Sequence, residues 1–199
     1  MKLWQLQPFH AIFDLYLPSN ICEIGTHHGR SACQFIQYLA PRVQRLQYTG
    51  YDLFEAADPT TTKQEHNGKG PGSFKQAQRS LEKITGPHAH VMFNLVRGNT
   101  KHTLSPQVFD FVYIDGGHSY NTVMHDFMMI KGSKAIVFDD YQIAGVHRAV
   151  DYISQANSDY MTIRLPSRHE RLKRHQVAMF WQPDSYLQDL LQGNLSKDY

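Results

Sequence analysis

The stretch Asn20–Gly29, NICEIGTHHG, decides how this chain is read. A short apolar run carrying one carboxylate, Glu23, passes directly into a turn with glycines at 25 and 29. Just beyond it, Ala32, Phe35, Ile36 and Leu39 recur at i, i+3, i+4 and i+7, the spacing of one apolar helix face, and Pro41 stops the pattern. The unit predicted is strand, tight loop, helix.

The same alternation continues on the C-terminal side. Tyr48–Leu53 reads as a second strand, and Phe74, Ala77, Leu81 and Ile84 mark a helix that ends at Gly86 and Pro87. A third strand is expected near Val91–Val96. FDFVYID, Phe109–Asp115, is a strongly β-prone fourth strand, followed by a helix with Val123, Phe127 and Ile130 on one face. Ala135–Asp139 is the fifth strand, and Val146, Ala149, Val150 and Ile153 set the next helix. The pattern then changes to two extended runs, Tyr160–Leu165 and Gln176–Trp181, expected to form an antiparallel hairpin at the sheet edge. Strands alternating with helices predict an α/β fold: a Rossmann-like, doubly wound, mainly parallel sheet in three α/β/α layers, with that hairpin at its C-terminal end. One domain over 1–199 is expected, with 1–19 a lead-in. The polar, Gly-rich stretch 56–73 reads as a mobile lid, with a flexible linker as the alternative.

Composition agrees with a folded globular chain. Of 199 residues 41% are hydrophobic, and 11 Tyr, 11 Phe and 2 Trp exclude disorder. Lys and Arg total 20 against 18 Asp and Glu, a balance that does not call for a polyanionic partner, so nucleic acid is not expected. Cys22 and Cys33 are too sparse for a disulfide framework and read as reduced, which makes the cytoplasm the expected location. The first twenty residues lack a sustained apolar segment with a cleavage site, and no run approaches the roughly 20 apolar residues of a membrane span.

Ligands of such sheets bind beyond the carboxyl ends of the strands, where this sequence gathers carboxylates and glycines. Residues Glu23–Gly29 form E-x-G-x-x-x-G. Neither the Gly-Lys-Ser/Thr ending of a phosphate loop nor the G-x-G-x-x-G dinucleotide spacing is present. Glu23 would repel a pyrophosphate and suits an ammonium or ordered water. Asp52, at the second strand tip, can accept hydrogen bonds from both ribose hydroxyls. A nucleoside without phosphates is implied. In a purely structural alternative Glu23 caps the loop and Asp52 opens a turn.

ICEIGTHHG, GYDLFE and FDFVYIDGGHSY, in this order over about Asn20–Ile153, resemble the class I S-adenosylmethionine-dependent methyltransferases. IDGGHSY followed by IVFDDY is most similar to a branch of small O-methyltransferases that includes metal-dependent sugar and macrolide-sugar enzymes. The resemblance implies that Glu23, Gly25, Thr26, His27 and Gly29 form the methionine-side loop, that Asp52 holds the ribose, and that Asn99 lies near the adenine. His27 stands where the commoner pattern has glycine; it and His28 either line the substrate mouth or face solvent.

Asp115 ends the fourth strand, and Asp139 and Asp140 end the fifth. With adjacent strands about 4.8 Å apart, the three carboxylates are expected to converge on a cation, and oxygen ligands favour Mg²⁺. The alternative is that Asp139 or Asp140 caps a helix and Asp115 contacts only the methionyl ammonium. His118, in D-G-G-H, is the expected base for a hydroxyl proton, with Asp115 beside it.

The reading is an O-methyltransferase acting on a small hydroxylated acceptor such as a sugar or a glycosylated metabolite. Its rivals are a non-catalytic nucleoside-binding scaffold and a nicotinamide-dependent oxidoreductase. His88 and His90 are expected at the surface. The basic turn, Arg164 to His175, reads as solvated, or as a contact for an anionic substrate. Leu187, Leu190 and Leu191 are expected to pack on the domain or to support a homo-oligomer.

Overall fold

The computed structural model describes residues 7–65, 70–165 and 175–195. Its centre is a sheet of seven strands: β1 (Asn20–Ile24), β2 (Leu46–Asp52), β3 (Val91–Arg97), β4 (Phe111–Ile114), β5 (Ala135–Phe138), β6 (Tyr160–Leu165) and β7 (Gln176–Trp181). Their order is β3-β2-β1-β4-β5-β7-β6. The first five are parallel, and β7 runs antiparallel to both β5 and β6. The order reverses between β1 and β4, which opens a crevice above their carboxyl ends.

Period-two alternation gives the sheet two different faces. On β4, Phe111 and Tyr113 point one way, into a cluster with Phe9, Phe13 and Phe35, while Val112 and Ile114 point the other way, toward Val123, Phe127 and Val150. The first face is covered by α1 (Gln7–Tyr16), α2 (Arg30–Leu39), α4 (Phe74–Thr85) and α8 (Ser185–Leu195). The second is covered by α6 (Tyr120–Ile130) and α7 (Ala144–Ala156). Predicted faces are the buried ones: Ala32, Phe35, Ile36 and Leu39 on α2, and Val146, Ala149, Val150 and Ile153 on α7.

Several features were not announced by the sequence pattern. The lead-in 1–19 contains α1, whose Phe9, Ile12 and Phe13 are wholly buried. The polar stretch 56–73 contains a helix, α3 (Pro59–Glu65), which no apolar periodicity announces because none of its residues is buried. A four-residue helix, α5 (Thr100–Thr103), follows β3, with Asn99 as its N-cap. His90 is not simply a surface residue: its Nε2 bonds the Ala40 carbonyl at 2.9 Å. Leu191 of α8 is buried in the first core. Most of the basic turn, residues 166–174, lies outside the described residues.

Candidate functional site

The loop after β1 is held in place by its neighbours. The Gly25 amide donates to the Tyr51 carbonyl at 2.8 Å, and Gly25 takes φ +96°. A Cβ at Gly25 would lie 2.1 Å from the Asp115 carbonyl oxygen, so only glycine lets the first loop pack against the end of β4. His27 follows with φ +53°, a left-handed conformation that a side chain rarely takes. Its amide donates to Asp52 Oδ2 at 2.7 Å, while the Phe54 amide donates to Asp52 Oδ1 at 2.5 Å. Asp52 therefore ties the loop to the end of β2. Each of its oxygens keeps a second acceptor position for a ligand hydroxyl.

His27 and His28 also hold the chain that returns from α3. His27 Nε2 donates to the Gly70 carbonyl at 3.3 Å, and His28 Nδ1 accepts from the Ser73 amide at 3.1 Å. A Cβ on Gly72 would meet His27 Cα at 2.5 Å. Both histidines line a cavity of about 250 Å³ bordered by Gly25, Thr26, Asp52, Asp115 and His118. A second cavity, about 200 Å³, is bordered by Tyr51, Gly98, Asn99, Thr100, Thr122 and Asp126. The two share Gly25, Asp52, Leu53 and Gly116, so Asp52 stands where they meet.

Glu23 corrects an expectation. It lines neither cavity and is fully buried beneath the loop, because it faces opposite to Cys22 and Ile24 on β1. Its carboxyl accepts hydrogen bonds from Ser31 at the start of α2 and from the Tyr48 hydroxyl, the latter at 2.5 Å. Burial pushes the Glu23 pKa up to about 7 against the relief from these two hydroxyls. Gly29 is likewise beneath the site: with φ +75° it caps α2. Tyr48, which also reaches Thr26 Oγ1 at 3.3 Å, is a supporting residue that sequence reasoning missed.

Asp115, His118 and Asp140 come together, each offering one ligand atom within 4.8 Å of the others. His118 Nε2 lies 3.2 Å from Asp140 Oδ2, and both side chains are almost wholly buried. The expected partner Asp139 is turned elsewhere. Its carboxylate accepts from the Tyr113 hydroxyl at 2.6 Å, from Gln176 at 3.3 Å and from the Asp140 amide at 2.9 Å. Consecutive residues leave a strand on opposite sides, and Asp140, at φ +52°, bends toward His118. Burial first, then the Asp140 charge, raises the Asp139 pKa.

The loop carrying His118 is fixed by a contact the sequence did not announce. The Glu65 carboxylate at the end of α3 accepts from the Ser119 amide at 2.9 Å and from Thr122 Oγ1 at 3.2 Å. Asn99 lines the second cavity, and its side-chain oxygen accepts from the Lys101 amide at 3.0 Å to cap α5. Among the described residues no helix is long and apolar enough to cross a membrane.

Comparison with known proteins agrees with this architecture. The O-methyltransferase TomG from Streptomyces achromogenes, involved in tomaymycin synthesis and solved in complex with SAM, superposes with a TM-score of 0.57 at 16% identity, over 92% of this chain and 82% of that one. The O-methyltransferase from Bacillus cereus in complex with SAH gives 0.58 at 17% identity, over 90% and 80%. The SAH-bound Podospora anserina methyltransferase PaMTH1 gives 0.56 at 16%, over 92% and 80%. No curated protein is matched by the sequence. These likenesses establish the Rossmann-like methyltransferase fold. A family model described as methyltransferase domain matches residues 22–141, from β1 through the Asp139–Asp140 turn, and the chain belongs to that methyltransferase family.

Proposed function

We propose that this protein is an S-adenosylmethionine-dependent O-methyltransferase that methylates a hydroxyl of a small molecule, with a sugar or a glycosylated metabolite as the favoured acceptor. One observation carries the reading: two cavities meet at a carboxylate, Asp52, and the Asp115–His118–Asp140 cluster lies beside one of them. A ribose at Asp52 directs the base toward Asn99 and the sulfonium toward Asp115. The SAM and SAH in the solved relatives support the same cofactor class.

In this reaction the acceptor oxygen attacks the sulfonium methyl carbon; the O–C bond forms as the C–S bond breaks, and S-adenosylhomocysteine leaves. The acceptor's proton goes to His118. Asp140, at 3.2 Å, orients the imidazole and stabilises the imidazolium that forms. Alignment of the two reactants in these cavities supplies much of the acceleration, on the order of several kcal/mol.

The cluster's mutual spacing fits a divalent cation. Asp115 and Asp140 are the residues that would hold it, and its chemistry is to lower the pKa of a nearby hydroxyl. With Asp139 committed to Tyr113 and Gln176, two carboxylates rather than three would hold the ion, and oxygen ligands favour Mg²⁺ with Mn²⁺ also accommodated, while His118 is kept for the proton.

Calorimetry with S-adenosylmethionine, S-adenosylhomocysteine and NAD, followed by transfer of a labelled methyl group to a library of hydroxylated acceptors, tests the proposal. Binding of the first two and labelled product are expected. Binding of NAD alone would reject it, and S-adenosylhomocysteine binding without transfer to any acceptor would favour the scaffold reading.

A further inference from the structure

The His118–Asp140 pair is held by a neighbour that the transfer chemistry leaves out. Asp140 turns toward His118 on a left-handed backbone, φ +52°, with its Oδ2 3.2 Å from His118 Nε2. Its other oxygen, Oδ1, accepts from the Gln142 side-chain amide at 2.7 Å. The Gln142 side-chain oxygen in turn accepts from the His175 backbone amide at 2.9 Å, and the His175 carbonyl accepts from the Tyr141 amide at 2.9 Å. Gln142 thus stands between the pair and the residue that leads into β7.

The partners fix which end of this amide faces which way. A backbone N–H can only donate, so the Gln142 oxygen faces His175 and its NH₂ group is turned to the carboxylate, which can only accept when ionised. Asp139 is held similarly, since Gln176 donates to its Oδ1 at 3.3 Å. The two aspartates differ in their remaining oxygen: that of Asp139 takes the Tyr113 hydroxyl, and that of Asp140 faces the imidazole.

The terminal torsion of an aspartate is broad, so a carboxylate held by one partner alone samples many planes. A charge-assisted hydrogen bond on the second oxygen selects one plane and shares the anion's charge. Resting on the O-methyltransferase reading above, we propose that Gln142 is a positioning residue: its amide N–H fixes the Asp140 carboxylate so that Oδ2 accepts from His118 Nε2–H and holds the imidazole in one orientation and one tautomer. Gln142 is itself exposed and belongs to neither core, so replacing it opens no cavity.

The opposite roles of the two ends of Gln142 make the test selective. The experiment compares Gln142→Lys, Gln142→Met and Gln142→Glu in the full chain at pH 8, measuring labelled-methyl transfer from S-adenosylmethionine, the dissociation constant of S-adenosylhomocysteine and a thermal melt. Lysine keeps a donor for Asp140 and offers His175 no acceptor. Glutamate keeps the acceptor for His175 and sets a second carboxylate against Asp140. Methionine keeps neither. The lysine variant should stay nearest the unsubstituted protein in kcat, while the methionine and glutamate variants fall about tenfold or more, the loss expected for a hydrogen bond to a charged group. KM for S-adenosylmethionine and the S-adenosylhomocysteine constant should stay within about twofold, because the interaction acts on the chemical step. A purely structural clamp on β7 gives the reverse order, with glutamate nearest the unsubstituted protein and lysine and methionine melting earlier; that order, or an unchanged kcat in all three, would overturn the proposal.

The ring-nitrogen NMR shifts of His118, identified by their loss in His118→Ala, supply a readout that needs no acceptor. The unsubstituted protein and Gln142→Lys should show the Nε2-protonated tautomer, and Gln142→Met and Gln142→Glu a mixture. The same tautomer in every variant would overturn the proposal. Absence of methyl transfer from the unsubstituted protein would remove the O-methyltransferase reading instead, and the tautomer would then decide on Gln142 by itself.

Discussion

The Glu65 carboxylate accepts a hydrogen bond from the Ser119 amide at 2.9 Å, and the Glu65 carbonyl accepts one from the His118 amide at 3.1 Å. The end of α3 is thereby joined to the turn that aims His118. If that join sets the imidazole's position, Glu65→Ala should lower turnover about tenfold, since misplacement by about 1 Å is worth up to about 100-fold. The effect should largely vanish in a His118→Ala background. A double-mutant cycle in kcat reads this coupling, expected between about 0.5 and 3 kcal/mol. Additive effects would show that Glu65 acts on something other than His118.

His118 and Asp140 form the buried pair assigned to proton removal. His118→Ala should reduce kcat by about 10²–10⁴-fold, the usual contribution of a general base, with little change in S-adenosylhomocysteine affinity. Chelation followed by addition of Mg²⁺ or Mn²⁺ tests the cation separately. Activity is expected to fall on chelation and to return with either ion; full activity in excess chelator would remove the metal from the mechanism.

Gly25 is the point at which the β1 loop touches the end of β4. A methyl group there would lie 2.1 Å from the Asp115 oxygen on a backbone at φ +96°. Gly25→Ala should destabilise by on the order of 1–3 kcal/mol, the usual magnitude for a side chain in a left-handed conformation. At this chain length each kcal/mol corresponds to roughly 2–4 °C in Tm. Cofactor affinity should fall with it, because the loop and Asp115 both border the first cavity. A melt and an affinity equal to those of the unsubstituted protein would mean the loop can shift without consequence.

Much of the frame was legible because its signals are periodic. The spacing of Val146, Ala149, Val150 and Ile153 names the buried face of α7, and Tyr160–Leu165 and Gln176–Trp181 are the two strands of the C-terminal antiparallel pair with the bounds expected. The helix α3 was not legible: PTTTKQE has no apolar face, and its last residue is fixed by a hydrogen bond across the fold to Ser119. Glu23 was misplaced for a reason the strand period contains. Cys22 and Ile24 on one face require Glu23 on the other, where Tyr48 and Ser31 meet it. Asp139 and Asp140 follow β5 in a turn, where the left-handed backbone of Asp140, φ +52°, sends it to His118 while Asp139 stays with Tyr113 and Gln176.

The buried Glu23 should leave a signature in stability against pH. Its pKa is raised from an ordinary 4.5 to about 7, chiefly by burial, so the native state holds the proton more tightly than the unfolded chain. For a raised carboxyl the stabilising contribution is fully present below the unfolded pKa and is lost as pH rises through the folded one. The contribution is therefore expected to decline between about pH 4.5 and 7 and to be absent above that window. At about 1.36 kcal/mol per unit, the change is on the order of 3 kcal/mol. Asp126, raised from 3.8 to about 6, acts in the same direction over a lower range. Glu23→Gln keeps an acceptor for Tyr48 or Ser31 and abolishes the titration. Urea midpoints at pH 5 and pH 8 should differ markedly for the unsubstituted protein and much less for the variant. Parallel pH profiles for the two proteins would show that Glu23 is ionised in its buried position, with the Ser31 and Tyr48 hydroxyls sufficient to hold the charge.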